Sequence, residues 1–143
     1  MAPPKIFLVH GRDTAARHEV DLFLRDVAST TPIVLATEPN GGLTLIEKFE
    51  QNAAEAGFAI VLMTADDEGG LTGETSQHRA RQNVIFELGY FFGKLGRGKV
   101  AVLSSVGVEH PSDIAGLVYV SYGEGTDWKE NLRRELRVAG FDT

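Results

Sequence analysis

The chain of 143 residues contains no cysteine, so a disulfide framework and a thiolate metal site are both excluded. Its four histidines (His10, His18, His78, His110) are scattered, and none falls in a ligand spacing such as H-E-x-x-H, so no zinc or other metal centre is expected. Bases are in deficit: 14 Lys and Arg stand against 20 Asp and Glu, a formal net charge of −6. Nucleic acids and anionic membranes demand a basic face, so neither is expected as a partner, and any nucleotide bound is a small molecule held by local groups. No apolar run approaches the roughly 18 residues of a membrane span. The opening Met1-Ala-Pro-Pro-Lys5 leads straight into a strand pattern, and a soluble cytoplasmic protein is expected. Familiar nucleotide motifs are missing as well. No G-x-G-x-x-G follows the first strand pattern and no G-x-x-x-x-G-K-[ST] occurs, which argues against a Rossmann dehydrogenase or a P-loop nucleotidase. A phosphoacceptor receiver domain would carry an acidic pair after the first strand, where this chain has His10 and Gly11. Repeats, linkers and low-complexity segments are absent too, so a single domain over residues 1–143 is expected.

What is present reads as alternating strand and helix. Five short apolar runs, Ile6–Val9, Pro32–Leu35, Phe58–Met63, Val100–Leu103 and Leu117–Val120, are continuous, as in parallel strands covered on both faces. Between them lie helical patterns with start signals. Asp13 caps a helix whose buried face is Ala16, Val20, Phe23, Leu24 and Val27. Thr44 with Glu47 forms a capping box ahead of Leu45, Ile46, Phe49 and Ala53, and Asp127 with Glu130 repeats the device before Trp128, Leu132 and Leu136. Gly140 ends that last helix, and Pro111–Ile114 reads as a short turn. The order predicts an α/β domain with an open, doubly wound parallel sheet and right-handed crossovers.

The stretch Arg79-Ala-Arg-Gln-Asn-Val-Ile-Phe-Glu-Leu-Gly-Tyr-Phe-Phe-Gly-Lys94 organises the rest. Val84, Leu88, Phe91, Phe92 and Leu95 mark one apolar stripe of a helix. Glu87 sits at the border of that stripe, with Asn83 one turn earlier on the same flank, so the two side chains should converge. An acid beside Phe and Val either finds a partner, has its ionisation perturbed, or snorkels to water as an ordinary border residue. Arg79 and Arg81 fall at the helix start, where the dipole disfavours cations. They suit either an anionic ligand or pairing with Asp66, Asp67, Glu68 and Glu74 of the preceding acidic loop.

Ligands of such a sheet bind beyond the carboxyl ends of the strands. There His10-Gly-Arg-Asp13 offers a glycine for close approach, a forked donor in Arg12 and a helix amino end, or else a plain turn. Thr37-Glu-Pro-Asn-Gly-Gly42 is dense in turn residues and reads as a connector, a mobile flap or a self-association surface. Thr64–Gln77 is long, acidic and without a regular pattern, as functional loops often are.

With these residues placed, the chain resembles the Toll/interleukin receptor (TIR) domain superfamily. It is most similar to the bacterial TIR-like group of predicted nucleotide-binding proteins found as effectors in cyclic-nucleotide-triggered anti-phage systems, including those fused to STING-like receptors. The resemblance rests on Lys5–Arg12, Gly42–Glu47, Ala59–Gly69, Arg79–Gly93 and Pro111–Ile114, with Arg81-Gln-Asn-Val-Ile-Phe-Glu-Leu-Gly89 the most specific stretch. The fold it implies is flavodoxin-like, with five parallel strands in the order 2-1-3-4-5. The activity it implies is cleavage of the nicotinamide–ribose bond of NAD+, giving nicotinamide and ADP-ribose or its cyclic form. NAD+ is then substrate, and no cofactor or metal is required. The resemblance places the catalytic glutamate at Glu87 and Asn83 at a position held by tryptophan in some plant members. Substrate contacts are expected at His10, Gly11, Arg12, Asp66, Arg79, Arg81 and Asn83, with the diphosphate held by Arg12, the amino end of the first helix and Arg79 or Arg81. The resemblance also makes Glu38, Pro39, Asn40, Gly41 and Gly42 an assembly loop that joins protomers into a homo-oligomer or filament. A cyclic-nucleotide sensor, as a domain or a separate protein, is the implied trigger, since the usual sensor module has no counterpart in these residues. Two other functions fit the pattern less fully: a non-enzymatic TIR-type interaction module, and a nucleoside deoxyribosyltransferase-like enzyme that also uses a Glu on a doubly wound sheet.

Overall fold

Side chains along a strand alternate between opposite faces, so runs that read as continuously apolar must serve two cores at once. The computed structural model describes residues 4–111, 117–125 and 127–143. In it β1 (Lys5–Val9), β2 (Ala56–Met63), β5 (Val100–Ser105) and β6 (Val118–Tyr122) form one parallel sheet in the order β1-β2-β5-β6. Ile6 and Leu8, with Phe58, Ile60, Leu62 and Leu103, pack under α1 (Thr14–Val27) and α4 (Trp128–Val138). Phe7 and Val9, with Ala59, Val61, Met63 and Val102, pack on the other face under α2 (Leu45–Ala53) and α3 (Gln82–Leu95). On that second face Phe7 meets Phe91 at 4.8 Å between ring centroids, and Phe49 meets Phe91 at 5.7 Å and Tyr90 at 4.9 Å. These edge-on and tilted contacts lock α2 to α3 above β1 and so set the gap between the two helices.

The helix starts follow the local signals in two cases and depart in a third. Asp13 accepts from Ala16 N at 2.9 Å, and Thr44 and Glu47 make both bonds of the capping box. Asp127 occupies the cap of α4, but its backbone (φ −90°, ψ 40°) lacks the extended geometry of a working cap, and its side chain makes no capping bond. The expected second capping box is therefore not formed. Gly140, at φ 99°, ends α4 as its position predicted. In α2 Leu45 and Ile46 are exposed, whereas Lys48, Phe49 and Ala53 are buried.

The expected five-stranded order reduces to four strands. Pro32–Leu35 does reach the free edge of β1, but only Ile33 pairs there, through Leu8 N to Ile33 O (2.9 Å) and Ile33 N to Ile6 O (2.8 Å). Both the amide and the hydroxyl of Thr37 then bind the Val34 carbonyl, pulling the chain off the edge into a 3-10 turn, Leu35–Thr37. The acidic loop is more regular than its composition suggested. It folds into an antiparallel ribbon of β3 (Asp67–Gly69) and β4 (Gln77–Arg79), steadied where the His78 carbonyl accepts from Glu109 N at 2.9 Å. Of the short turn expected at Pro111–Ile114, residues 112–114 lie outside the described residues.

The turn from β1 into α1 is closed by Asp66. Its Oδ1 accepts from Thr64 Oγ1 at 2.8 Å and from Arg12 N at 3.3 Å, which lays the carboxylate across Gly11. A Cβ at Gly11 would sit 1.8 Å from Asp66 Oδ2. Gly11→Ala is expected to cost about 1–3 kcal/mol by forcing Asp66 out of both bonds. The cost should shrink in an Asp66→Ala background, and a double-mutant cycle of urea melts measures it.

Candidate functional site

At the carboxyl end of β1, the 3-10 turn, α2 and α3 leave an open cavity of about 240 Å³. Its polar groups come from three elements: His10 just after β1, Lys48 on α2, and Arg81, Asn83 and Glu87 on or beside α3. A second cavity, of about 300 Å³, adjoins it and shares Leu35, Leu45, Asn83 and Glu87. The remaining wall of the second cavity is apolar, made by Ile46, Phe49 and Phe86. Glu87 and Asn83 thus stand on the partition between a polar and an apolar hollow.

Glu87 is carried there by the packing of α3. Val84, Leu88 and Phe91 are buried against the sheet, and the residue between them on the flank cannot turn far from the cavity mouth. Its carboxylate is half-buried and has no hydrogen-bond or ion-pair partner among the described residues. Burial alone pushes its pKa up from 4.5 to about 7. Among the described residues neither the ammonium of Lys48 nor the guanidinium of Arg81 comes within 4.0 Å of the carboxylate, although all three line one cavity.

His10 is pulled below its ordinary pKa, first by burial and further by Arg17 and Arg81. The Gly11 carbonyl, which accepts from His10 Nδ1 at 2.9 Å, and the charge of Asp66 oppose the shift without cancelling it. The shift favours the neutral imidazole.

The other residues expected at the site are spread around it. Arg81 is the N-cap of α3 and offers its side chain to the polar cavity, with no carboxylate within 4.0 Å among the described residues. Arg79 does not share that position: it belongs to β4, and its Nη2 is 3.1 Å from Glu109 Oε1. Arg79 and Glu109 line a different hollow, with Pro111. Arg12 is exposed and 4.0 Å from Asp67. Gly11 and Asp66 brace the turn beneath the cavity rather than lining it. Glu38, Pro39, Asn40 and Gly41 edge a shallow hollow of their own, and nothing lies within 4 Å of a Cβ built on Gly41 or Gly42. The stretch from Pro39 to Glu47 is exposed throughout.

Two residues of the site carry no motif. Phe86 is 56% exposed, an aromatic face held out into the apolar cavity. Lys48 is only 6% exposed, and its Nζ donates to Asn40 Oδ1 at 2.9 Å. Its spacing gave little signal: it stands beside the buried Phe49 on the inward side of α2, but one turn after the exposed Leu45. Among the described residues no group of three or more His, Asp or Glu is arranged to hold a metal ion, and no helix is long and apolar enough to cross a membrane.

Residues 5–141 match the family model described as "CAP12/Pycsar effector protein, TIR domain". The chain is 50% identical over 137 residues to "Uncharacterized protein YuaY" of Escherichia coli (strain K12), covering 95% of this chain and 46% of that protein. It is 36% identical over 148 residues to "Protein tirC" of Dictyostelium discoideum, covering 96% and 72%. It is 40% identical over 79 residues to "Pycsar effector protein PaPycTIR" of Pseudomonas aeruginosa, covering 54% and 25%. The chain thus spans under half the length of the Escherichia coli relative and a quarter of the Pseudomonas aeruginosa one.

An acid whose folded pKa is raised to about 7 from 4.5 holds a proton in the folded state that the unfolded chain has already released. Stability contributed by this group is therefore lost as pH climbs between those values and stays low above them. Glu87→Gln should remove the penalty, making the variant more stable than wild type by on the order of 1–3 kcal/mol at about pH 8 and no more stable at about pH 4. Urea melts at the two pH values check this, and a carboxylate satisfied by an ion pair would give the opposite sign.

Proposed function

The chain belongs to the TIR-domain family of CAP12/Pycsar effectors, and we propose that within it this domain is an NAD+ glycohydrolase that serves anti-phage defence by destroying the nucleotide. The observation that carries the reading is the half-buried, unpartnered Glu87 between an apolar hollow and a cationic one. NAD+ has a matching layout. A flat nicotinamide ring and an anionic diphosphate flank the ribose whose bond to nitrogen breaks. In this reading the ring enters the cavity walled by Ile46, Phe49 and Phe86, and the diphosphate lies toward Arg81 and the amino end of α3.

The chemistry asks little else of the protein. The C–N bond breaks with its electron pair going to the ring nitrogen, so the pyridinium leaves as neutral nicotinamide and the ribose becomes an oxocarbenium ion. Water captures the cation and loses a proton, giving ADP-ribose; capture by a nucleophile within the same molecule gives the cyclic form. A fixed carboxylate beside the sugar stabilises the charge that develops there. The free site holds Glu87 near its pKa, and the positive charge of a bound pyridinium favours the ionised form. In this reading Asn83, which lines both cavities beside Glu87, holds ribose hydroxyls.

Membership also supports an assembly. The exposed loop from Glu38 to Gly42, and the exposed Leu43, Leu45 and Ile46 that follow it, offer a second copy of the domain a surface at the mouth of the site. Clustering by a cyclic-nucleotide sensor, on the same or another polypeptide, would raise the local concentration that such contacts need.

Incubation of NAD+ with concentrated protein, followed by chromatography, is expected to yield nicotinamide and an ADP-ribose species. Glu87→Gln should lower turnover by about 100-fold or more while the protein stays folded. Unchanged NAD+ alongside self-association would instead identify an interaction module, and release of free base from deoxynucleosides a deoxyribosyltransferase. For wild type, kcat/KM for NAD+ should rise as pH increases through about 7, the value at which the free site releases its proton. A profile flat across that range would remove Glu87 from the reacting centre.

A further inference from the structure

Lys48 is a charge in the wrong place for structure alone. Its side chain is 6% exposed, on the inward face of α2, and lines the polar cavity. Lys5, Arg25 and Arg79 each find a carboxylate, in Glu55, Asp21 and Glu109. Lys48 has none within 4.0 Å among the described residues, and its side chain's hydrogen bond is to the neutral amide of Asn40 at 2.9 Å. A buried ammonium carries three donors and costs free energy unless an opposite charge compensates it. A neutral amide fills one donor and supplies no charge. Lys94, another cation packed on this face, shows the cheaper arrangement: its side chain is exposed in part and ends on the Ala53 carbonyl without opening into the cavity.

The cavity is the route by which a counter-charge can reach Lys48. Glu87 is in the same cavity but does not supply it, since no ion pair within 4.0 Å joins the two among the described residues. We infer that Lys48 is an anion-binding group of this site, taking phosphate oxygens of the ligand from the α2 side of the cavity while Arg81 approaches from α3. The inference rests on the NAD+ reading for the identity of the anion as a diphosphate. The placement of an unneutralised buried ammonium in the cavity calls for an anion on any reading. Through the bond to Asn40, one side chain touches both the ligand space and the exposed loop.

Isothermal titration of the chain with inorganic pyrophosphate and with ADP-ribose tests this without requiring turnover. Lys48→Met should weaken both by about tenfold or more, and Lys48→Arg, which keeps the charge, should retain most of the affinity. Asn40→Ala releases the loop but leaves the cation, so it should change affinity by less than about threefold. Equal affinities in wild type and Lys48→Met, or an equal loss in Asn40→Ala and Lys48→Met, overturn the assignment, the latter by showing that Lys48 acts only by holding the loop. Should Lys48→Met not fold, the methylene signal of Lys48 in wild type must still move when pyrophosphate is added, and a signal that stays put at saturation also overturns it. The two readings fail separately. Pyrophosphate binding that depends on Lys48 with no NAD+ cleavage removes the glycohydrolase and keeps the anion site. Cleavage with unaltered KM in Lys48→Met does the reverse.

Discussion

A sheet covered on both faces has no side that can hold a charge. Every residue of β1 after Lys5 is committed to one core or the other, Ile6 and Leu8 to the first, Phe7 and Val9 to the second. Polar chemistry is displaced to the strand ends, where the chain leaves the sheet and helix flanks come within reach. The polar cavity starts at His10, the first residue past β1, and takes its remaining groups from the helices locked together over Phe7. Position and rigidity thus come from the apolar interior, and reactivity from residues that interior could not accept.

That division explains the condition of Glu87. Its neighbours Val84, Leu88 and Phe91 hold α3 against the sheet and leave the carboxylate half-buried, and among the described residues nothing hydrogen-bonds or ion-pairs with it. The site is expensive to keep. Lys48 shows the same economy with the opposite sign: a buried cation met by a neutral amide. A carboxyl with a raised pKa and an ammonium without a carboxylate partner thus share one cavity and do not pair with each other.

What could be seen in the sequence was local. Asp13 and Thr44 announce their helices because a cap needs only its own turn, and the flank of α3 carrying Asn83 and Glu87 follows from spacing within one helix. What could not be seen depends on distant parts. Pro32–Leu35 has the composition of a strand, yet Thr37 competes for the Val34 carbonyl and leaves a single bridge. The acidic loop becomes a ribbon partly because a Glu109 amide, far along the chain, binds His78. Arg79 reads as part of the helix start, but strand pairing holds it outside and Glu109 takes its guanidinium. Lys48 was hidden for a different reason: a charge on an inward helical position looks like an exception to the stripe, and only the cavity beside it gives the exception a purpose.

The sheet is also a wall. Everything assigned to ligand and loop lies on the side of α2 and α3, while α1 and α4 pack a separate interior of Val20, Leu24, Leu132 and Leu136 behind it. Repacking among those rear residues reaches the reacting groups only through the strands between. The back of the domain is therefore open to sequence drift, or to new attachments, at little expense to the front.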